Sequence, residues 1–155
     1  MGVDFLCDDF SYSCQYSSWD KMRMELLRAT VKYLETSDIP LKRLNNHTEQ
    51  VPYYDIIDGF LSHKNDLTGV NVFMQMSLLV KDFDNTLIYF DVYGLLALLK
   101  KSDCDGVYSP GNAMDICKLI ELVGPHVGED FQEQLISVTK LFSTSLTTKS
   151  NIYLT

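Results

Sequence analysis

The chain has 155 residues, of which 46% are hydrophobic and 22% charged, and its formal net charge is -8. This length and apolar content predict one globular domain spanning residues 1–155 and argue against disorder. An acidic surface repels phosphate backbones, and no segment approaches the roughly 20 apolar residues of a membrane span, so we expect neither nucleic-acid binding nor membrane insertion. Because the N-terminus lacks the pattern of a signal peptide, we expect a cytoplasmic protein.

The chain begins with the pattern of a β-hairpin. Apolar and polar side chains alternate over residues 3–7 and again over residues 10–16. Asp8-Asp9 lies between the two segments and has the length of a tight turn. The sequence therefore predicts two antiparallel strands joined at Asp8-Asp9.

A helical period follows the hairpin directly. Over residues 17–35, apolar side chains recur at steps of three and four, which predicts a helix of about five turns. Ser17 and Asp20 have the spacing of a capping box at its start. The buried stripe that this period predicts consists of Trp19, Met22, Leu26, Ala29 and Tyr33.

The middle of the chain contains two predicted helices and two predicted strands. Residues 53–63 have an apolar helical face, and residues 70–80 alternate with period two, which favours a strand although a helix also fits. Residues 87–90 follow as a returning strand, and residues 91–101 as a short helix.

The C-terminal third predicts two helices and a last strand. Ser109 as N-cap and Pro110 in the first position begin a helix that ends at Gly124-Pro125. Residues 129–147 have acids at the start and lysine toward the end, as the helix dipole favours. Residues 151–155 fit a short strand beside the hairpin. Together the segments predict an α+β fold, with about five helices packed on a small, mainly antiparallel sheet.

The segment KSDCDGVYSPG, residues 101–111, resembles half of an EF-hand calcium loop. With Gly106 in the glycine position, nearby residues fall at ligand positions of such a loop, and one acid of the next helix could substitute. The candidate metal ligands are Asp103, Asp105, Val107, Ser109 and Asp115. Two ligand positions are lost, because Lys101 stands where the first acid should be and Asn112 replaces the bidentate glutamate.

Two other interpretations of the same segment compete with calcium. Cys104 could be a reactive thiol, but Asp103 and Asp105 on either side of it raise a thiol pKa. Alternatively, both aspartates accept backbone N–H groups, Gly106 permits positive φ, and the segment is a turn between two helices. The second interpretation accounts for most of the residues without a ligand, so we favour it.

An aromatic cluster near the N-terminus is the candidate partner site. Tyr12, Tyr16 and Trp19 lie close together in sequence, with Arg23 one turn further along the helix. Tyrosine, tryptophan and arginine concentrate binding energy when they are exposed. The same residues could instead anchor the hairpin to the first helix as core.

The segments YSSWDKMRMELL and KSDCDGVYSP, with a long C-terminal helix that ends in a short apolar strand, resemble a group of short uncharacterised bacterial and phage proteins. Those proteins carry a related S-D-C-D-G turn, often with histidine where Lys101 stands here. The resemblance implies a compact shared fold and no catalytic residue.

These observations support three functional hypotheses. The leading one is a non-enzymatic protein that binds another protein or a small molecule through an acidic, tyrosine-rich surface, without a cofactor. The first alternative is a calcium-like metal site centred on Asp103 and Asp105. The second is an enzyme whose cysteine, histidine and aspartate residues assemble in space. The sequence leaves the oligomeric state open.

Overall fold

The computed structural model describes residues 2–36, 94–95, 97–98 and 106–155. Within these residues, three α-helices and four β-strands follow the chain, and two 3-10 turns at residues 124–126 and 129–131 connect the second helix to the third. The elements are β1 (Gly2–Cys7), β2 (Phe10–Gln15), α1 (Tyr16–Thr36), β3 (Gly106–Tyr108), α2 (Pro110–Val123), α3 (Gln132–Thr148) and β4 (Ile152–Leu154).

The four strands form one antiparallel sheet in the order β2-β1-β4-β3. The predicted hairpin is confirmed, with its turn at Asp8-Asp9, and Asp8 adopts the left-handed backbone (φ 52°) that aspartate tolerates better than most residues. The predicted C-terminal strand beside the hairpin is also confirmed. Asp4 and Thr155 exchange both of their backbone hydrogen bonds, each 3.0 Å long.

One face of the sheet forms the core with the helices. Alternate residues of β1, such as Val3 and Phe5, are fully buried. Phe5 meets Trp19 of α1 in an edge-to-face contact with ring centroids 4.8 Å apart, and Tyr108 of β3 meets Phe142 of α3 in the same way at 5.3 Å. The apolar contacts of large rings therefore fix both α1 and α3 against this face.

Helix α1 confirms the predicted helix and most of its buried stripe. Trp19, Met22, Leu26 and Ala29 are fully buried, and Tyr33 is half-buried. The predicted capping box is wrong, because the helix begins at Tyr16 and Ser17 lies inside its first turn. The carboxylate of Asp20 pairs instead with the guanidinium of Arg23, one turn further along.

Helix α2 begins as predicted. The Ser109 hydroxyl accepts the Asn112 N–H at 3.1 Å, and the Asn112 carbonyl oxygen accepts the Ser109 N–H at 3.1 Å. This reciprocal capping box satisfies two backbone donors that the helix itself leaves unpaired. Met114 is exposed on this helix, whereas the neighbouring Ala113 is fully buried.

The prediction of about five helices is wrong for the described residues, which form three α-helices on a four-stranded sheet; the α+β class is right. The predicted helix at 53–63 and the predicted strands at 70–80 and 87–90 lie outside the described residues. Of the predicted helix at 91–101, the four described residues are helical and buried. The turn predicted at 101–111 instead contributes β3, because β4 offers an antiparallel edge to which it pairs.

Candidate functional site

The candidate metal ligands do not form a described site. Asp103 and Asp105 lie outside the described residues. Val107 is paired with Tyr153 in the sheet, and the Ser109 side chain caps α2. Asp115 is half-buried on α2. The Ser109 side chain is therefore already used by the helix cap, and Val107 lies in a paired strand of the sheet.

The described part of the 101–111 segment, residues 106–111, also differs from a calcium loop. Gly106 takes extended backbone in β3 rather than positive φ. Asn112, at the last ligand position of the loop, directs its carbonyl oxygen to the Ser109 N–H. Within the described residues, no group of three or more histidine, cysteine or acidic side chains could hold a metal ion.

The aromatic cluster near the N-terminus is divided between core and surface. Trp19 is fully buried, and Arg23 is buried beside Asp20, whereas Tyr12 and Tyr16 are half-buried. Burial raises the pKa of Tyr12 to about 12, against the opposing effect of a hydrogen bond with Gln134. Of the four candidate partner residues, the two tyrosines therefore retain surface that a partner could contact.

The three described thiols are in environments that discourage thiolate chemistry. Burial raises the pKa of Cys7, Cys14 and Cys117 above the ordinary value of 9.0. Each is therefore protonated at neutral pH and a weak nucleophile. Cys104 lies outside the described residues. The ring of His126 lies beside the ring of Tyr33, with the two ring centroids 6.1 Å apart.

An ion pair between buried Glu25 and the partly exposed Arg28 connects α1 to the turn that follows α2. Glu25 accepts the Arg28 Nε–H at 2.9 Å and the Gly128 backbone N–H at 2.9 Å, while Arg28 donates to the His126 carbonyl oxygen at 3.0 Å. Burial alone would raise the pKa of Glu25, but its hydrogen bonds to Arg28 and Gly128 outweigh this and hold the pKa below its ordinary value. The arrangement is saturated with internal partners, so it suits a structural role.

The sheet face opposite the helices carries an apolar row that the sequence patterns did not predict. Leu6 of β1 pairs with Tyr153 of β4, and Tyr153 pairs with Val107 of β3. Directly paired residues of antiparallel strands point to the same face of a sheet. The three side chains are 45%, 51% and 38% exposed, respectively. We call this row Leu6–Tyr153–Val107 the outer row.

Polar and acidic residues surround the outer row. Ser11 pairs with Leu6 and extends the row on β2, while Asp4, on the next position of the same face of β1, pairs with Ser13. Asp8 and Asp9 are exposed at the hairpin turn beyond Leu6. The face is thus an apolar strip bordered by hydroxyl groups and carboxylates.

No family model, curated protein or solved structure matches the chain. Within the described residues, each helix is too short or too polar to cross a bilayer. The outer row and its acidic border are therefore interpreted from their own chemistry.

Proposed function

We propose that the chain is a non-enzymatic binding protein that holds an extended, basic segment of another protein on the outer face of its sheet. The outer row carries this proposal. Three of the five large hydrophobic side chains that are exposed in the described residues are direct cross-strand neighbours. Scattered exposed apolar residues are ordinary, whereas a contiguous strip indicates a contact surface.

The size of the outer row favours a short segment as its ligand. Three side chains at these exposures present on the order of 300 Å², at the lower end of the largest apolar patches on monomeric proteins. A stable protein–protein interface buries about 800 Å² on each partner, so the strip alone is too small for a large rigid surface. An extended segment could lay alternate side chains along it, with a correspondingly weak affinity.

The charge around the outer row favours a basic ligand. Asp4, Asp8 and Asp9 border the row on β1 and at the hairpin turn, and the whole chain carries a net charge of -8. Lys149, which precedes β4, is the nearest basic residue along the chain to that strand and offsets only part of this charge. Lysine or arginine in the ligand would accelerate its encounter with the acidic face and fix its orientation.

Selection from a random-peptide display library tests the proposal. Peptides are selected on the immobilised wild-type chain after depletion on the Tyr153→Ser variant, and their dissociation constants are measured by fluorescence anisotropy. We expect enriched peptides with alternating apolar residues and lysine or arginine. Their affinity should fall at least about tenfold for Tyr153→Ser, because the central aromatic contact of the strip is lost.

The matched control is Ile136→Ser, which removes an apolar side chain that is 69% exposed on α3. This variant should bind the selected peptides as the wild type does. Equal binding to wild type and Tyr153→Ser, or an equal loss with Ile136→Ser, would contradict the proposal. Amide chemical shifts report the location independently, and peptide-induced changes must centre on Leu6, Val107 and Tyr153.

A further inference from the structure

The edge of β2 that lies opposite β1 presents a regular set of backbone hydrogen-bonding groups. Asp4 directs its N–H and C=O toward Thr155 on the β4 side of β1. Its partner across the hairpin, Ser13, therefore belongs to a non-hydrogen-bonded pair and directs its own N–H and C=O away from β1. By the two-residue alternation of a strand, Ser11 does the same, and Gln15 directs its N–H outward, whereas the Gln15 C=O accepts the first hydrogen bond of α1, which begins at Tyr16.

Strand β2 lacks the features that usually protect a sheet edge. Its sequence FSYSCQ contains no charged residue and no proline, and it pairs with β1 residue for residue, without a bulge, from Phe10 to Gln15. Edge strands commonly carry lysine, proline or a bulge, which prevent another strand from pairing. Among the described residues, no strand pairs with this edge.

We propose that a second copy of the chain pairs with this edge, β2 against β2 in antiparallel orientation, and that the protein is a homodimer with a continuous eight-stranded sheet. The three residues with outward backbone groups are spaced evenly about Ser13. A twofold axis there places Ser13 opposite Ser13 of the partner subunit, and Ser11 opposite Gln15 of the partner subunit. Four hydrogen bonds then cross the interface: the two Ser13 residues exchange two, and each Gln15 N–H donates to the Ser11 C=O of the partner subunit.

Charge favours a second copy at this edge. Two chains of net charge -8 repel each other, so they associate most readily where neither presents a carboxylate. Phe10–Gln15 is such a segment. On the helix-covered face, the same pairing brings half-buried Tyr12 next to the partner subunit's Cys14, which covers apolar surface that one chain leaves exposed.

Site-directed cross-linking tests the predicted symmetry. In the proposed dimer the two Ser13 Cα atoms are about 5.5 Å apart, as in a hydrogen-bonded antiparallel pair, and this distance suits a disulfide. We expect Ser13→Cys to form a covalent dimer under mild oxidation. The control, Ser11→Cys, has its two copies roughly 14 Å apart along the strands and should remain uncross-linked. Peptide mapping excludes links through the native cysteines.

Sedimentation velocity tests the association itself. From micromolar to millimolar concentration, the wild type should move from the 17.7 kDa chain to twice that mass. Ser13→Pro removes one outward N–H without touching the β1 ladder, so it should remain monomeric, while Tyr153→Ser should dimerise as the wild type does. Circular dichroism checks that each variant is folded, and if Ser13→Pro unfolds, the cross-linking pair alone decides.

A wild type that stays monomeric at millimolar concentration, or equal cross-linking of Ser11→Cys and Ser13→Cys, would overturn the proposal. Neither result bears on peptide binding at the outer row.

Discussion

Replacing Glu25 with glutamine tests the ion pair of Glu25 with Arg28 on α1, which contacts the turn after α2. The substitution keeps the shape of the side chain and removes its charge. Glutamine retains one carbonyl oxygen, which can still accept the Gly128 N–H, but the NH2 group that replaces Oε2 cannot accept the Arg28 Nε–H. The variant therefore isolates the charge-assisted part of the network.

The magnitude follows from the number and exposure of the lost contacts. Hydrogen bonds to charged groups contribute about 1.5–3 kcal/mol each when they are buried. Arg28 is 37% exposed at its side chain, so water replaces part of what the guanidinium loses. We expect Glu25→Gln to lower the free energy of unfolding by about 2 kcal/mol at pH 7.

The effect should depend on pH with a definite sign. The folded-state pKa of Glu25 lies below its ordinary value of 4.5, so the charged group stabilises the fold fully above that value. The contribution disappears as the pH falls through the folded-state pKa. Urea unfolding of the wild type and of Glu25→Gln from pH 7 downward should show two stability curves that converge below pH 4.5.

Glu121→Gln, at an exposed position of α2, is the control and should leave stability nearly unchanged. A difference that persists undiminished in acid would refute the electrostatic account.

Two further predictions concern backbone packing and conformation, and thermal or urea unfolding measures both. Gly94→Ala should destabilise the fold by about 1–3 kcal/mol, because its new Cβ would overlap the Asp115 carbonyl oxygen and lie 2.9 Å from Leu119 Cβ. The control is Gly111→Ala, whose new Cβ would have its nearest neighbour 3.5 Å away, so this variant should be neutral or stabilising. Equal effects of the two substitutions would contradict this reasoning. Lys149→Gly should stabilise the fold by about 1 kcal/mol, because Lys149 ends α3 with a left-handed backbone conformation (φ 53°) that favours glycine. A loss of stability would show that the contacts of the lysine side chain outweigh the backbone strain.

The sequence predicted those elements whose signals are local. Alternation and a two-residue turn define the hairpin, and a helical period defines α1, within a few neighbouring residues. The Ser109 cap was predicted for the same reason, although its partner Asn112 was not. Strand β3 was missed because three residues are too short for a period, and because its formation depends on β4, more than 40 residues later in the chain. The register of β4 against β1 and β3 is likewise a long-range property.

The candidate site was missed for a related reason. The alternation in β1 predicts one buried face and one exposed face, and it places Leu6 on the exposed face. A single leucine on an exposed face gives no signal by itself. The sequence predicted Val107 only as a backbone ligand of a calcium loop, and Tyr153 only as part of a short strand beside the hairpin. The apolar strip exists only after three strands that are distant in sequence align one row of side chains.

Sheet propensity alone does not account for the outer row. Tyrosine and valine are favoured in strands, and a cross-strand pair contributes about 0.2–1 kcal/mol, so the Tyr153–Val107 pair could serve the sheet without any ligand. Leucine lacks the β-branching that favours strands, and on the β2 side Leu6 pairs with the polar Ser11. Threonine at position 6 would suit both the strand conformation and the exposure to solvent. The proposed binding of a basic segment would account for the extension of the apolar strip to β1 and for the acidic border beside it.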